Sequence, residues 1–466
     1  MSAVWKICQK KCSGKNYSMR IAWEKRSSSV SSQKELKLKV LQREKTMSLE
    51  KYRWDLVNCE RCSMCKWVHP WSVKSRDRAR ICPSMQEYLY DAYSAQGRFD
   101  VARALLEGEI ELTDKVLEVI YTCTLCGGCD VTCKFTRDME PLEILHELRK
   151  FAVAQGKGPL PGHMPAIDSI RKNNNPWLQP KTRRAQWARN MNVKDLNKEK
   201  AAVLYFAGCT YSYNANLQKV ARATLRIIQE AGVDVGILGN NETCCASPVL
   251  KVGMEEMFYE IAGNNVKMFN KLGIQQVITS CSGCYGIFQA HYPGVEKMQY
   301  EVLHSVQLLD QLIQQGKLQF KKKVPLKVTW HDPCHLGRGG EKQDLWEGKR
   351  LKWGLSDPPR QRNFGSNGVF DAPRNILLAI PGIELIEMER IREFSWCCGA
   401  GGGVKSAFPE FALHAAQERI AEAAATGAEA LVTSCPWCES NLADAVNATE
   451  SPLKIISLIE LVEKAL

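Results

Sequence analysis

The sequence predicts an α+β multidomain protein: a mainly α-helical N-terminal domain, then two tandem α/β domains with parallel sheets. Three observations support this. The chain has 466 residues, more than one hydrophobic core usually holds, and roughly 150 residues per domain gives about three units. Eighteen of its twenty cysteines fall into four compact groups. The last two groups punctuate two halves that can be overlaid, as a duplication would leave them. The chain accordingly divides into a basic tail (1–46), a helical cysteine-rich domain (47–160), a connector (161–200) and two α/β domains (201–320 and 321–466), the second carrying a surface insertion at about 339–372 that is rich in charge, Gly and Pro.

Composition narrows the function before any motif does. With 45% hydrophobic and 24% charged residues the chain reads as an ordinary soluble globular protein. No apolar run approaches the roughly 18 residues that cross a bilayer, which leaves peripheral attachment as the only membrane association expected. The net charge of +12 is concentrated: residues 1–46 hold twelve Lys/Arg against three acids, and the remaining 420 residues carry 51 basic and 48 acidic side chains. So balanced a body offers no polyanion face, which argues against a zinc-dependent nucleic-acid module. Residues 1–46 are rich in Ser, weakly periodic and followed by Met47. They read as a disordered tail or a misassigned start, lack the apolar middle of a secretory signal, and their Cys8 and Cys12 are assigned no role.

Cysteines spaced by two residues place thiols on one loop, where they chelate a shared ion or cluster; ligation in a reducing, cytoplasmic compartment is the better reading than disulfides. Cys59, Cys62 and Cys65 form a CxxCxxC run with Cys82 after a spacer of sixteen residues, and Cys123, Cys126, Cys129 and Cys133 repeat the scheme. Three thiolates at that spacing fit three corners of a cubane and a remote Cys supplies the fourth. Structural zinc knots need only four thiolates each, and the three-plus-one grouping is unusual for zinc. The arrangement resembles bacterial-type two-cluster ferredoxins, in which the fourth Cys serves the other cluster. The resemblance implies one cubane 4Fe-4S cluster on Cys59, Cys62, Cys65 and Cys133, and a second on Cys123, Cys126, Cys129 and Cys82. Two departures, the long spacer before Cys82 and Lys134 where proline is usual, remove no ligand. Leu89, Phe99, Val101, Leu105, Leu106, Val116 and Ile120 supply a helical core between the groups. Pro141 opens a further amphipathic helix with Ile144, Leu145, Leu148 and Phe151 on one face.

From about residue 201 short apolar runs alternate with helical stretches. Strands at 202–208, 232–238 and 273–280 lead to Cys209, to Cys244 and Cys245, and to Cys281 and Cys284. Strands at 327–332, 382–388 and 427–434 lead to Cys334, to Cys397 and Cys398, and to Cys435 and Cys438. Each half therefore offers five thiols at strand C-termini, where open α/β sheets bind ligands. Vicinal residues in extended chain point apart, so five thiolates suit a multi-iron cluster better than one tetrahedral zinc. Gly399, Gly401, Gly402 and Gly403 would let backbone approach the cluster, with N–H groups available to sulfur. The first half has Ala246 in place of Gly399 and less backbone freedom.

The spacing of 34 and 35 residues in the first set, and 62 and 36 in the second, resembles the CCG domain pair of heterodisulfide reductases. With the ferredoxin unit ahead of it, residues 50–466 resemble the D-type subunits of that family. The resemblance implies non-cubane 4Fe-4S clusters in one or both halves, with zinc the alternative for the first. The run CERCSMCKWVHPW from Cys59 to Trp71 is similar to the electron-transfer component of ATP-independent, class II benzoyl-CoA reductase complexes. That implies an anaerobic complex with a flavin-containing partner and a separate catalytic subunit.

Two cubane centres in one small domain form a relay. The leading expectation is an electron-transferring oxidoreductase subunit. Alternatives are a disulfide reductase acting at Cys334, Cys397, Cys398, Cys435 and Cys438, or the iron-sulfur subunit of a glycolate, lactate or glycerol-3-phosphate dehydrogenase. His331 and His335 flank Cys334, but five thiols already fill that site. Trp330, Trp396 and Trp437 are read as shielding, and Arg61, Lys66, Lys134 and Arg137 as positive charge near cubane ligands or as solvated surface. No GxGxxG, P-loop or Ser-His-Asp arrangement occurs, so nucleotide and flavin cofactors are expected on partners.

Overall fold

Local signals set the helices of the cysteine-rich part. Ser94 accepts a hydrogen bond from the Gly97 amide and left-handed Gly108 closes the other end, bounding Ala95–Glu107. Thr113 caps Asp114–Tyr121, and Pro141 occupies the first turn of Pro141–Ala154. The computed structural model describes residues 49–342, 346, 348–360 and 363–466. The tail expected at 1–46, with Cys8 and Cys12, lies outside the described residues.

These helices pack around Phe99, Leu105, Ile120, Ile144, Leu145, Leu148 and Phe151, all buried, with Val101, Leu106 and Val116 half-buried against them. Leu89 is an exception to the expected core: it is 64% exposed. It terminates Pro83–Tyr88 in the left-handed conformation, φ 52°, and a helix end that reverses there turns its side chain out of the packed face.

The α/β part consists of two parallel sheets. The first runs in the order β1-β3-β2-β4-β5, from β1 (Lys194–Asp195), β2 (Val203–Phe206), β3 (Val235–Ile237), β4 (Gln276–Thr279) and β5 (Glu301–His304). The second runs β11-β10-β6-β9, from β6 (Leu326–Trp330), β9 (Ile383–Leu385), β10 (Ala430–Thr433) and β11 (Lys454–Ser457). Aligning β2 with β6, β3 with β9, β4 with β10 and β5 with β11 gives the same spatial order in both sheets, so the internal repeat is structural as well as textual. Central strands β2 and β10 are buried along their whole length, as parallel strands covered by helices on both faces must be. Each strand is shorter than its apolar run. Gly273, for instance, is spent on the left-handed end of the preceding helix Glu255–Leu272.

Two segments reach beyond their expected roles. Residues 161–200 contribute the helix Met164–Asn173 and edge strand β1. The insertion forms an antiparallel pair, β7 (Lys349–Arg350) and β8 (Ser356–Asp357), and folds back on the helical part through Arg350 and Arg360, which bind the Asp138 carboxylate at 2.8 and 2.9 Å.

The glycine run was expected to face a cluster. Gly399 does turn its amide toward Cys397 Sγ, at 3.4 Å, while Gly401 and Gly402 lie against backbone of the first part: a Cβ on Gly402 (φ 63°) would stand 2.6 Å from the Cys123 carbonyl, and one on Gly401 2.7 Å from that of Thr124. Ala246 takes the same left-handed turn as Gly399 (φ 63° and 88°), so the missing glycine costs strain of about 1 kcal/mol rather than a change of path. Gly402→Ala is expected to lower stability by about 2–4 kcal/mol, strain plus overpacking. Gly427→Ala, also left-handed but with open space around it, should cost about 1 kcal/mol. Denaturant unfolding under anaerobic conditions checks this, and equal losses would contradict the close approach.

Candidate metal centres

The CxxCxxC loops are wound by residues in the left-handed region, Arg61 and Ser63 in the first, Leu125 and Gly127 in the second. Such turns aim successive thiols at one point. Cys59, Cys62, Cys65 and Cys133 line one cavity, and Cys82, Cys123, Cys126 and Cys129 line another. Each cavity thus draws three thiols from one loop and the fourth from the other group. Ala95, at the start of its helix, lines both. The donor chemistry fits a metal-sulfur group. Sulfur predominates in both, and Glu60, the one carboxylate, is engaged by Arg137 at 2.8 Å. Burial pushes the thiols of Cys65 and Cys82 up to about 11 and 12, so a bound cation is what would hold them as thiolates.

The ten thiols of the α/β part form a connected series. Contacts run from Cys209 to Cys244, then Cys245, Cys284 and Cys281 in the first half. They run from Cys435 to Cys438, then Cys398, Cys397 and Cys334 in the second, with Cys438 and Cys398 sulfurs 3.3 Å apart. Cys281 touches Cys435, so the two sets adjoin. Cys397 touches Cys126, so the second set adjoins the nearer N-terminal cavity. That contact is the main cause holding the Cys126 thiol below its ordinary range, with burial opposing and Arg338 adding positive charge. Backbone amides two residues on donate to sulfur at 3.4 Å in three loops: Leu125 to Cys123, Ala246 to Cys244 and Gly399 to Cys397.

Several residues that shape these sites carry no sequence signature. From the 161–200 segment comes Arg184, whose Nη1 lies 3.2 Å from Cys209 Sγ and whose Nη2 binds Glu242 at 2.6 Å. Glu242 also accepts the amides of Ala207 and Gly208, fixing the Cys209 loop. In the second half Arg374 grips Asp332 through two bonds of 2.8 and 2.9 Å beside Cys334. Lys251, at the end of Ser247–Lys251, faces thiols of both halves and contacts His335. Cys334 is the one cysteine of these ten that is not fully buried, so access to the paired sets lies on its side. Trp396 is buried and its Nε1 bonds the Ala415 carbonyl, while Trp437 stacks on Trp177.

His331 lies with Cys398 and Cys438, their ligand atoms within 4.8 Å of one another. Its Nδ1 accepts from the Arg419 guanidinium at 3.1 Å. An arginine can only donate, so the ring proton sits on Nε2. The imidazole is therefore an N–H donor toward sulfur rather than a ligand. Arg419 is itself held by Glu422 at 2.8 Å, which also pairs with Arg390.

Thiols as the common donors, set at strand C-termini and in ferredoxin-like loops, define an iron-sulfur oxidoreductase component. The profile of the Cysteine-rich domain family, CCG, matches residues 203–289 and 361–443. The D-type subunit of the dihydromethanophenazine:CoB--CoM heterodisulfide reductase of Methanosarcina mazei is 31% identical over 424 residues, 88% of this chain and 94% of that protein. The EtfAB:quinone oxidoreductase of Syntrophomonas wolfei is 31% identical over 90% of this chain and 60% of its own length. The probable iron-sulfur-binding oxidoreductase FadF of Bacillus subtilis is 30% identical over 80% of this chain and 50% of its own length. The chain belongs to the family of heterodisulfide reductase D-type subunits. The second CCG match begins after Cys334, because the insertion separates that residue in sequence from a set it joins in space.

Against the burial that pushes it up, Arg419 and Arg390 hold the Glu422 carboxyl down at about 2. Its stabilisation is present above its unfolded value near 4.5 and is lost as pH falls toward 2. Glu422→Gln leaves the buried Arg419 guanidinium without its carboxylate and Arg390 with Glu418 alone, and is expected to cost about 3–5 kcal/mol. Anaerobic denaturant unfolding measures it, and a loss below about 1 kcal/mol would show the carboxylate is not needed there.

Proposed function

We propose that the chain is the iron-sulfur electron-transfer subunit of a cytoplasmic, anaerobic, multisubunit oxidoreductase, relaying electrons between a flavoprotein partner and a catalytic subunit. The observation that carries this reading is the continuity of the eighteen cysteines: two cavities sharing Ala95, then the Cys126 to Cys397 contact, then the Cys435 to Cys281 contact. In this reading residues 47–160 are a ferredoxin-like domain, 201–320 and 321–466 the two CCG domains, and 161–200 their connector. Cys59, Cys62, Cys65 and Cys133 hold one cubane 4Fe-4S cluster, and Cys82, Cys123, Cys126 and Cys129 the other. Cys334, Cys397, Cys398, Cys435 and Cys438 hold a non-cubane cluster. Cys209, Cys244, Cys245, Cys281 and Cys284 hold a second one or zinc.

Such clusters supply one-electron carriers. The protein's own residues hold the thiols close together, leave Cys82, Cys123, Cys129 and Cys334 only partly exposed, and present the outer cavity at the surface, where Cys62 is exposed. Near it Trp71 is 84% and Phe135 54% exposed, with His69 stacked on one and edge-on to the other. Exposed aromatic groups of this kind favour a protein partner. Among the described residues no helix is long and apolar enough to cross a membrane. The finer reading, that the complex is of the class II benzoyl-CoA reductase type, rests on the Cys59 to Trp71 sequence run and is decided by which subunits copurify. The same experiment separates it from a glycolate, lactate or glycerol-3-phosphate dehydrogenase.

A second reading, disulfide reduction at the paired sets, is favoured by the partial exposure of Cys334 beside Lys251 and His335. There two electrons and two protons convert one disulfide to two thiols. With reduced donor and candidate disulfides, thiol release that disappears in Cys398→Ser would establish it. Anaerobic metal and sulfide analysis tests the relay itself: about sixteen iron atoms per chain are expected, or about twelve with one zinc. Fewer than about four iron atoms, or zinc alone, overturns the assignment.

A further inference from the structure

The two N-terminal cavities offer the same sulfur donors in different electrostatic surroundings. Around Cys82, Cys123, Cys126 and Cys129 stand three arginines, Arg98, Arg149 and Arg338, exposed by 1%, 0% and 5%. Arg98 lines the cavity and bonds the carbonyls of Val119 (2.7 Å) and Tyr93 and the Ser84 hydroxyl (2.9 Å). Arg149 bonds the carbonyls of Cys123 and Gly402 at 2.5 Å and of Lys251 at 2.7 Å. Arg338 bonds the carbonyls of Cys126 (2.6 Å) and of Glu393 and Ser395 (2.7 Å), with its charge on Cys126, Cys334 and Cys397. None of the three has a carboxylate partner among the described residues.

The outer set is surrounded differently. Arg61 pairs with Asp100, Lys66 with Asp91 at 2.5 Å, and Arg137, which lines this cavity and also reaches Cys62, with Glu60 at 2.8 Å. Arg61 and Arg137 are solvent-exposed, so water and salt screen what the acids leave. Lys134, between the two sets, is neutralised by Asp130 and Glu140 at 3.0 and 2.8 Å.

Adding an electron makes a cluster more negative, so burial alone would make the inner centre harder to reduce. Three buried cations without anions act through the same poorly screening interior and oppose that penalty. We propose that Arg98, Arg149 and Arg338 make the centre on Cys82, Cys123, Cys126 and Cys129 the more readily reduced of the two. An electron entering beside Cys62 then runs downhill toward the contact with Cys397. In that step the outer centre is oxidised by one electron and the inner reduced by one, with the reduced flavoprotein partner as donor and no bond made or broken. The inference rests on the reading of both cavities as cubane sites.

An EPR redox titration of the full-length, cluster-loaded protein tests it, with an aqueous dysprosium chelate added to broaden the signal of the centre nearer solvent. The broadened signal should appear at the lower potential. Arg149→Met should lower the potential of the unbroadened signal, Arg149→Lys should restore most of the shift, and Arg171→Met, at an exposed arginine paired with Asp168 on the helix Met164–Asn173, should move neither. The reverse order in the wild-type protein, or an unshifted Arg149→Met, overturns the gradient. If Arg149→Met does not retain iron, the wild-type order still decides. Loss of any cubane signal from the loaded wild-type protein overturns the cluster reading first, a result distinct from two signals in the wrong order.

Discussion

Bringing eighteen thiols together, most of them buried or half-buried, is the constraint on which the rest of this structure depends. A buried thiol resists ionisation, and a buried thiolate needs a cation within reach. Folding these sulfurs together without metal would leave protonated groups, several pressed against one another at contact distance. The fold gathers the thiols in groups of four or five, each able to share one centre, and surrounds the whole with carbonyl-bound arginines and paired acids. Thiols that would be costly one by one become a ligand field.

That demand also sets how the parts join. The second α/β half meets the N-terminal part where Gly401 and Gly402 lie against the carbonyls of Thr124 and Cys123, and Arg149 spans the seam by bonding carbonyls on both sides of it. These contacts place Cys126 against Cys397. Electron transfer weakens steeply with distance, so a seam closed at backbone contact matters more than one padded by side chains.

The duplicated halves share a strand order but differ around their sulfurs. In the first, Arg184 and Glu242 sit directly on the Cys209 loop. In the second, His331 turns an N–H toward Cys398 and Cys438, with Arg419 and Glu422 behind it. Phe206 occupies the position in β2 that precedes Cys209 as His331 precedes Cys334. The paired sites are thereby electrostatically unequal, which suits a path with an entrance and an end better than two identical stores.

How much was legible in the amino-acid order follows from the range of each interaction. The sulfur groups, the alternation of apolar runs and helices, and the doubling of the α/β half could be read directly, because ligand spacing and strand length are local properties; so could the capped helices around Phe99 and Ile144. Leu89 misled because its apolar character is independent of the φ angle its helix end imposes. The Gly399 amide reaches a cysteine sulfur as expected, but the packing of Gly401 and Gly402 on the Cys123 loop was not legible because that loop lies far away in sequence. Arg98, Arg149, Arg184 and Arg338 were invisible for the same reason: an arginine in a charged segment reads as surface until distant carbonyls surround it. The sequence by itself determined which sulfur atoms are grouped as candidate ligands and which elements carry them. Only the tertiary structure decided which sets touch and which charges stand beside them, since desolvation and sulfur contact depend on neighbours brought together from across the chain.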